Sequence, residues 1–202
     1  MKNSHLNNNS RRLAYALLAP GGVTILVLLA ALAGDGGRVA LRFDRAGLAS
    51  AELWRLVSAH LVHLGWGHTL LNIGGLAALT YVLPIERLSV SWWLGVLLMS
   101  AAAIDIGLYV WHPQLAWYVG LSGVLHGLWA AGAVVLIVTG ERLIGAILIL
   151  VLLAKVIREQ ISGASELTAA LSGGEVVAAA HAYGMLGGFV FVAAWLLLRK
   201  AG

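Results

Sequence analysis

Apolar residues run almost unbroken through six stretches of the chain, and polar residues gather between them. The stretches are Leu13 to Ala33, Trp66 to Ile85, Trp92 to Trp111, Leu115 to Val138, Leu143 to Ile157 and Val176 to Leu198. Most match the roughly 20 residues that a helix needs to cross about 30 Å of hydrocarbon. A lone strand would leave its backbone unpaired in lipid, so each stretch reads as a helix. Pro20-Gly21-Gly22 interrupts the first, as membrane helices tolerate. The fifth is short, so Lys155 and Arg158 are expected to snorkel at its end. The prediction is an all-α membrane protein with six transmembrane helices. Residues 1–12 form a polar tail, 13–199 a single domain, and about 34–65 a long first loop.

Composition sharpens this picture. The chain is 60% hydrophobic and 11% charged, whereas a soluble domain carries about 25% charged residues. Cysteine is absent, which excludes disulfides, thiolate metal sites and a cysteine nucleophile. The net charge of +4 forms no basic stripe interleaved with aromatics, so no nucleic-acid partner is expected. The basic start followed by an apolar run resembles a signal peptide, but no small-residue cleavage site stands out, and an uncleaved first helix is expected. Lys2, Arg11, Arg12, Arg199 and Lys200 lie at the two ends, and six spans place both ends on one face. The positive-inside rule makes that face cytoplasmic, although Arg38, Arg42, Arg45 and Arg55 in the first loop count against it.

Against this background a few polar residues stand out, because such groups inside a span mark function by default. His68 and Asn72 begin the second stretch, Ser122 lies within the fourth, and His181 begins the sixth. Spans two, four and six enter from the same side. Counting 1.5 Å per residue puts Asn72, Ser122 and His181 roughly 7 to 11 Å below that surface. His68 and Asn72 are four apart and share a helix face. Gly120, Gly123 and Gly127 flank the serine, and Gly184 and Gly188 continue the stripe of His181. Small residues of this kind let helices approach closely.

These residues resemble the rhomboid family of intramembrane serine proteases. "ELWRLVSAHLVHLGWGHTLLN" is similar to the family's Trp-Arg loop, here Trp54 and Arg55, and to its H-x4-H-x3-N signature at His63, His68 and Asn72. "GLSG" is similar to its nucleophile motif at Ser122, and "AHAYGMLGG" to its motif at His181, Gly184 and Gly188. The compact chain and "SGVLHG" look most like the rhombosortase branch. The resemblance implies a six-helix rhomboid-like bundle in a bacterial inner membrane, open to the periplasmic side. It implies a Ser122–His181 dyad, with His68, Asn72 and the Ser122 N–H facing an oxyanion, and no cofactor or metal. The implied partners are membrane-anchored substrates with a C-terminal helix, met within the lipid bilayer.

One departure is His126, where many rhomboids carry tyrosine four residues after the serine. In many rhomboids an aromatic ring there supports the catalytic histidine, so the resemblance implies that His126, one turn below Ser122, supports His181. A bond elsewhere in the bundle and a second general base are the alternatives. Asp105, at a similar level on the third stretch, is a candidate third member or a structural acid. His63 is read as support for the first loop, and His60 and His112 as interfacial. Other readings stay open on residues alone. The histidines could ligate haem, or the polar cluster could grip a client helix without chemistry.

Overall fold

The computed structural model describes the backbone of residues 2–201 and the side chains of residues 15–199. The side chains of Lys2, Arg11, Arg12 and Lys200, on which the orientation argument leans, lie outside the described residues.

Helix α1 (Lys2–Leu32) runs through Pro20 without a break. It thus absorbs the expected interruption as well as most of the expected tail. Thr24 Oγ1 donates to the Pro20 carbonyl at 2.9 Å, one turn below the ring. The first loop is more ordered than its composition suggests. It holds α2 (Gly34–Leu41), strand β1 (Phe43–Asp44), α3 (Arg45–Ala49) and α4 (Arg55–Ser58). Next come α5 (Trp66–Val82), a 3-10 turn at Ile85–Arg87 and α6 (Val90–Trp111), whose start Ser89 caps through Trp92 N. Strand β2 (Trp117–Tyr118), α7 (Ser122–Val138), α8 (Arg142–Ser162), α9 (Glu166–Ser172) and α10 (Ala178–Ala201) complete the order.

Among the described residues, Tyr15–Leu32, Val90–Trp111 and Ala178–Arg199 are long and apolar enough to cross a membrane, and Ser122–Val138 is a shorter apolar helix. Exposed Leu, Ile and Val cover the outer faces of α1, α6, α8 and α10, as lipid contact requires. The chain is an integral membrane protein. At its centre α7 packs against α6, α8 and α10. Glycines make that packing possible. A Cβ at Gly184 would strike the Gly123 carbonyl, and one at Gly188 would strike that of Gly127.

Three expectations need correction. The fourth helix starts at Ser122 and not Leu115, because Tyr118 pairs with Phe43 in a short antiparallel ladder and Gly120 adopts φ +126°. Two residues of each strand therefore qualify the all-α reading. The fifth helix continues past Ile157 to Ser162. Finally, Lys155 does not snorkel: it turns inward, as described below.

Candidate active site

The loop before α7 is pinned from three sides. Gly120 N donates to the Ala59 carbonyl at 2.9 Å, Tyr118 Oη donates to the Gly120 carbonyl at 2.9 Å, and Leu121 N donates to His63 Nε2 at 3.4 Å. The positive φ of Gly120 favours glycine, and a Cβ there would lie 2.9 Å from the His68 ring. These contacts deliver Ser122 as the first residue of α7, so its N–H has no partner within the helix. Ser122 is therefore set at a helix N-terminus, not two turns inside a span. His68 and Asn72 do lie in the first two turns of α5, and His181 in the first turn of α10. The four residues still converge, at helix starts instead of at a common depth along longer helices.

His181 Nε2 lies 2.8 Å from Ser122 Oγ. Its other nitrogen, Nδ1, lies 2.7 Å from Glu159 Oε2 on α8. Lys155, one turn earlier on α8, donates from Nζ to Glu159 Oε1 at 2.6 Å and to His126 Nε2 at 3.0 Å. His126 Nδ1 closes the circuit by donating to the Ser122 carbonyl at 2.7 Å. The imidazoles of His126 and His181 stack with centroids 4.0 Å apart and planes inclined by 10°. The His126 ring thus lies flat against that of His181 and carries two hydrogen bonds of its own. Rings so close leave no space for a haem iron between them.

Facing this circuit, His68 Nδ1 accepts from Leu64 N at 3.4 Å, which leaves Nε2 to carry the ring proton. Asn72 Nδ2 donates one hydrogen to the His68 carbonyl at 2.9 Å and retains a second. Both residues, with Ser122, His126, Lys155 and His181, line a cavity of about 470 Å³ whose remaining wall is mostly leucine, valine and alanine. His63 packs edge-on to His68, with centroids 4.9 Å apart. Burial first, and then the neighbouring His68, pull the His63 imidazole down to about 3, so it remains neutral.

Other expected residues lie elsewhere. Asp105 faces His60, with Oδ1 3.3 Å from Nε2, and makes no bond to His181. His60 is buried beside Tyr118 and not interfacial. His112 sits partly exposed at the end of α6 and bonds to Tyr183 Oη at 3.1 Å. Arg55 binds Glu52 and the carbonyls of Val39 and Arg42, and Trp54 donates to that of Ala40, so both organise the first loop and not the cavity. Glu159 is the residue that sequence reasoning missed. It follows the apolar stretch, where charges read as a membrane boundary. The available signal was its i,i+4 spacing from Lys155, which puts the pair on one helix face.

His126, Glu159 and His181 bring ligand atoms within 4.8 Å of one another, as a metal site would. The Lys155 ammonium, however, already binds both His126 Nε2 and Glu159 Oε1. A cationic group thus fills that role from within the chain.

Comparison with known proteins bears on what this arrangement is for. No curated protein matches the chain. A family model, Rhomboid domain, matches residues 50–200, which include every member of the circuit. Rhomboids are generally intramembrane serine proteases acting on membrane-protein substrates, and this chain belongs to the rhomboid family.

Proposed function

We propose that the protein is an intramembrane serine endopeptidase with Ser122 as nucleophile and His181 as general base. The observation that carries the reading is the 2.8 Å contact between Ser122 Oγ and His181 Nε2, in the wall of an apolar cavity in a rhomboid chain. A serine hydroxyl attacks a peptide carbonyl only when a base removes its proton. As Oγ bonds to the carbonyl carbon, the proton passes to His181 Nε2. The carbonyl oxygen becomes an oxyanion facing three donors: His68 Nε2–H, the second Asn72 amide hydrogen and Ser122 N–H. The first-turn amides of α7 add to that field. Collapse breaks the C–N bond as Nε2 returns the proton to the leaving amine. Water, activated by the same base, then releases the acyl group. The chemistry requires no cofactor or metal.

The wider architecture in this reading is six spans, with α5 and α8 joining the four more apolar helices. Both termini are cytoplasmic and the site opens to the periplasmic side of a bacterial inner membrane. Short motifs around Ser122 favour the rhombosortase branch. Its clients would be exported proteins with a glycine-rich stretch before a C-terminal anchor helix and a basic tail. Gly-rich sequence suits the chemistry, because a helical peptide bond must unwind before Oγ can reach its carbonyl.

Incubation of the purified protein with a fluorophosphonate probe, beside Ser122→Ala, tests the proposal. Labelling of the wild type and not of the variant is expected. An unlabelled wild type, or equal labelling of both, refutes it.

A further inference from the structure

A glutamate in an apolar bundle is costly to bury, and the Glu159 side chain is only 2% exposed, while that of its partner Lys155 is 36% exposed. We infer that Glu159 is a third member of the Ser122–His181 unit, and that Lys155 fixes the orientation in which it works. The inference rests on the reading of Ser122 and His181 given above and goes beyond the Ser–His dyad that the family motifs imply.

Donor and acceptor chemistry assigns each proton. The Lys155 ammonium has only donors, so Glu159 Oε1 and His126 Nε2 both accept from it. The Ser122 carbonyl has only acceptors, so His126 Nδ1 carries that ring's proton. Glu159 Oε2 therefore accepts from His181 Nδ1–H, which leaves Nε2 unprotonated and 2.8 Å from the serine hydroxyl. That is the tautomer a general base needs. When Nε2 takes the serine proton, the imidazolium charge develops 2.7 Å from a carboxylate already in place. Lys155 holds the other carboxylate oxygen, so Glu159 cannot rotate away. His126 ties the same lysine to the Ser122 backbone, closing a ring of five residues from α7, α8 and α10. Glu159 and Lys155 are positioning residues in this account, acting through His181.

The ring makes an unusual forecast for glutamine. In Glu159→Gln, Lys155 can hydrogen-bond only to the amide oxygen, which turns the amide NH2 toward His181. Nδ1 must then accept, Nε2 takes the ring proton, and the base is lost. The equivalent loss in serine proteases costs about 10⁴-fold in rate. Removing the lysine as well frees the amide to rotate and present its oxygen to Nδ1. The double variant Glu159→Gln with Lys155→Met should thus be faster than Glu159→Gln alone. A merely structural ion pair predicts the opposite, since each deletion would add its own damage.

The test measures fluorophosphonate labelling rates and kcat against KM for wild type, Glu159→Gln, Lys155→Met and the double variant, with Ser122→Ala as blank. Expected are a loss of about 10³-fold or more in kcat for Glu159→Gln with little change in KM, and at least a tenfold recovery in the double variant. Glu159→Gln within tenfold of wild type overturns the triad, and a double variant no faster than Glu159→Gln overturns the role of Lys155. A labelled wild type separates either failure from failure of the protease reading, whereas an unlabelled one defeats both. Should the glutamine variants not fold, ¹⁵N spectra of histidine-labelled wild type, with His181 assigned by loss of its signal in His181→Gln, give the tautomer directly. A protonated Nδ1 and bare Nε2 are expected, and the reverse tautomer overturns the inference.

Discussion

Gly123 stands where α7 and α10 meet, next in sequence to Ser122, and a Cβ added there would lie 2.7 Å from the carbonyl oxygen of Ala180, next to His181. It would also lie 2.7 Å from Ile104 Cδ1. The Ile104 methyl can turn aside, but a backbone carbonyl cannot. Ordinary contact begins at 3.4 Å, so Gly123→Ala must part the two helices by about 0.7 Å at this point. The parting acts on the residues beside the nucleophile and its base, and stretches the Ser122 Oγ to His181 Nε2 contact from 2.8 Å to about 3.5 Å. Overpacking of this kind costs typically about 1–3 kcal/mol of stability. A misplacement near 1 Å costs about 10²-fold in rate. The expected result is a folded protein whose labelling by a fluorophosphonate slows by roughly 10- to 100-fold. Thermal unfolding in detergent, read alongside the labelling rate, separates misplacement from collapse. Wild-type labelling by Gly123→Ala at unchanged stability would refute the claim that this crossing sets the distance between Ser122 and His181.

Three other outcomes follow from the same geometry. Replacing His126 by alanine removes the stacked ring and the two hydrogen bonds that tie Lys155 to the Ser122 carbonyl, so activity should fall by about 10²-fold. Phenylalanine should recover part of it by restoring the stack, and an equal loss in both variants would deny the ring any role. Asn72→Ala should lower kcat by about 10²- to 10³-fold with little change in KM, because its charge-stabilising partner exists only in the transition state. A change confined to KM would reassign Asn72 to substrate binding. His63, held down to about 3 in the folded state against 6.5 when free, binds its proton only in the unfolded chain between those values. Stability should therefore be full above pH 6.5 and fall as pH drops toward 3, by at most about 1.4 kcal/mol per unit from this group. Melting curves at pH 7.5 and 5 for wild type and His63→Gln test this, and an equal drop in both would clear His63.

The sequence and the structure part company at identifiable points. Long apolar runs made α6 and α10 legible nearly to the residue, because lipid imposes length and composition on a span. The start of α7 was not legible. Leu115 to Leu121 is as apolar as the helix that follows, and what stops the helix is remote: Phe43, Ala59 and His63 take up the loop's backbone groups. Ser122, His181, His68 and Asn72 could be singled out because a polar group in an apolar run is conspicuous. The spacing of four put His126 on the face of Ser122, and only the resemblance to rhomboids pointed its ring toward His181. Glu159 is charged among charges at a helix end, where a sequence shows no contrast. Asp105, conspicuous within α6, drew attention that its pairing with His60 does not justify. Contrast in sequence reports burial well, and partnership across helices poorly.

The central claim is that Ser122 and His181 form one chemical unit facing a membrane-embedded substrate. Its most direct measurement is cleavage, in proteoliposomes, of a reporter anchored by a C-terminal helix behind a glycine-rich stretch. Wild type should cut the reporter, while Ser122→Ala and His181→Ala should each reconstitute and fold but leave it whole. Cleavage by either variant within tenfold of wild type would contradict the account, since members of one catalytic unit fail together.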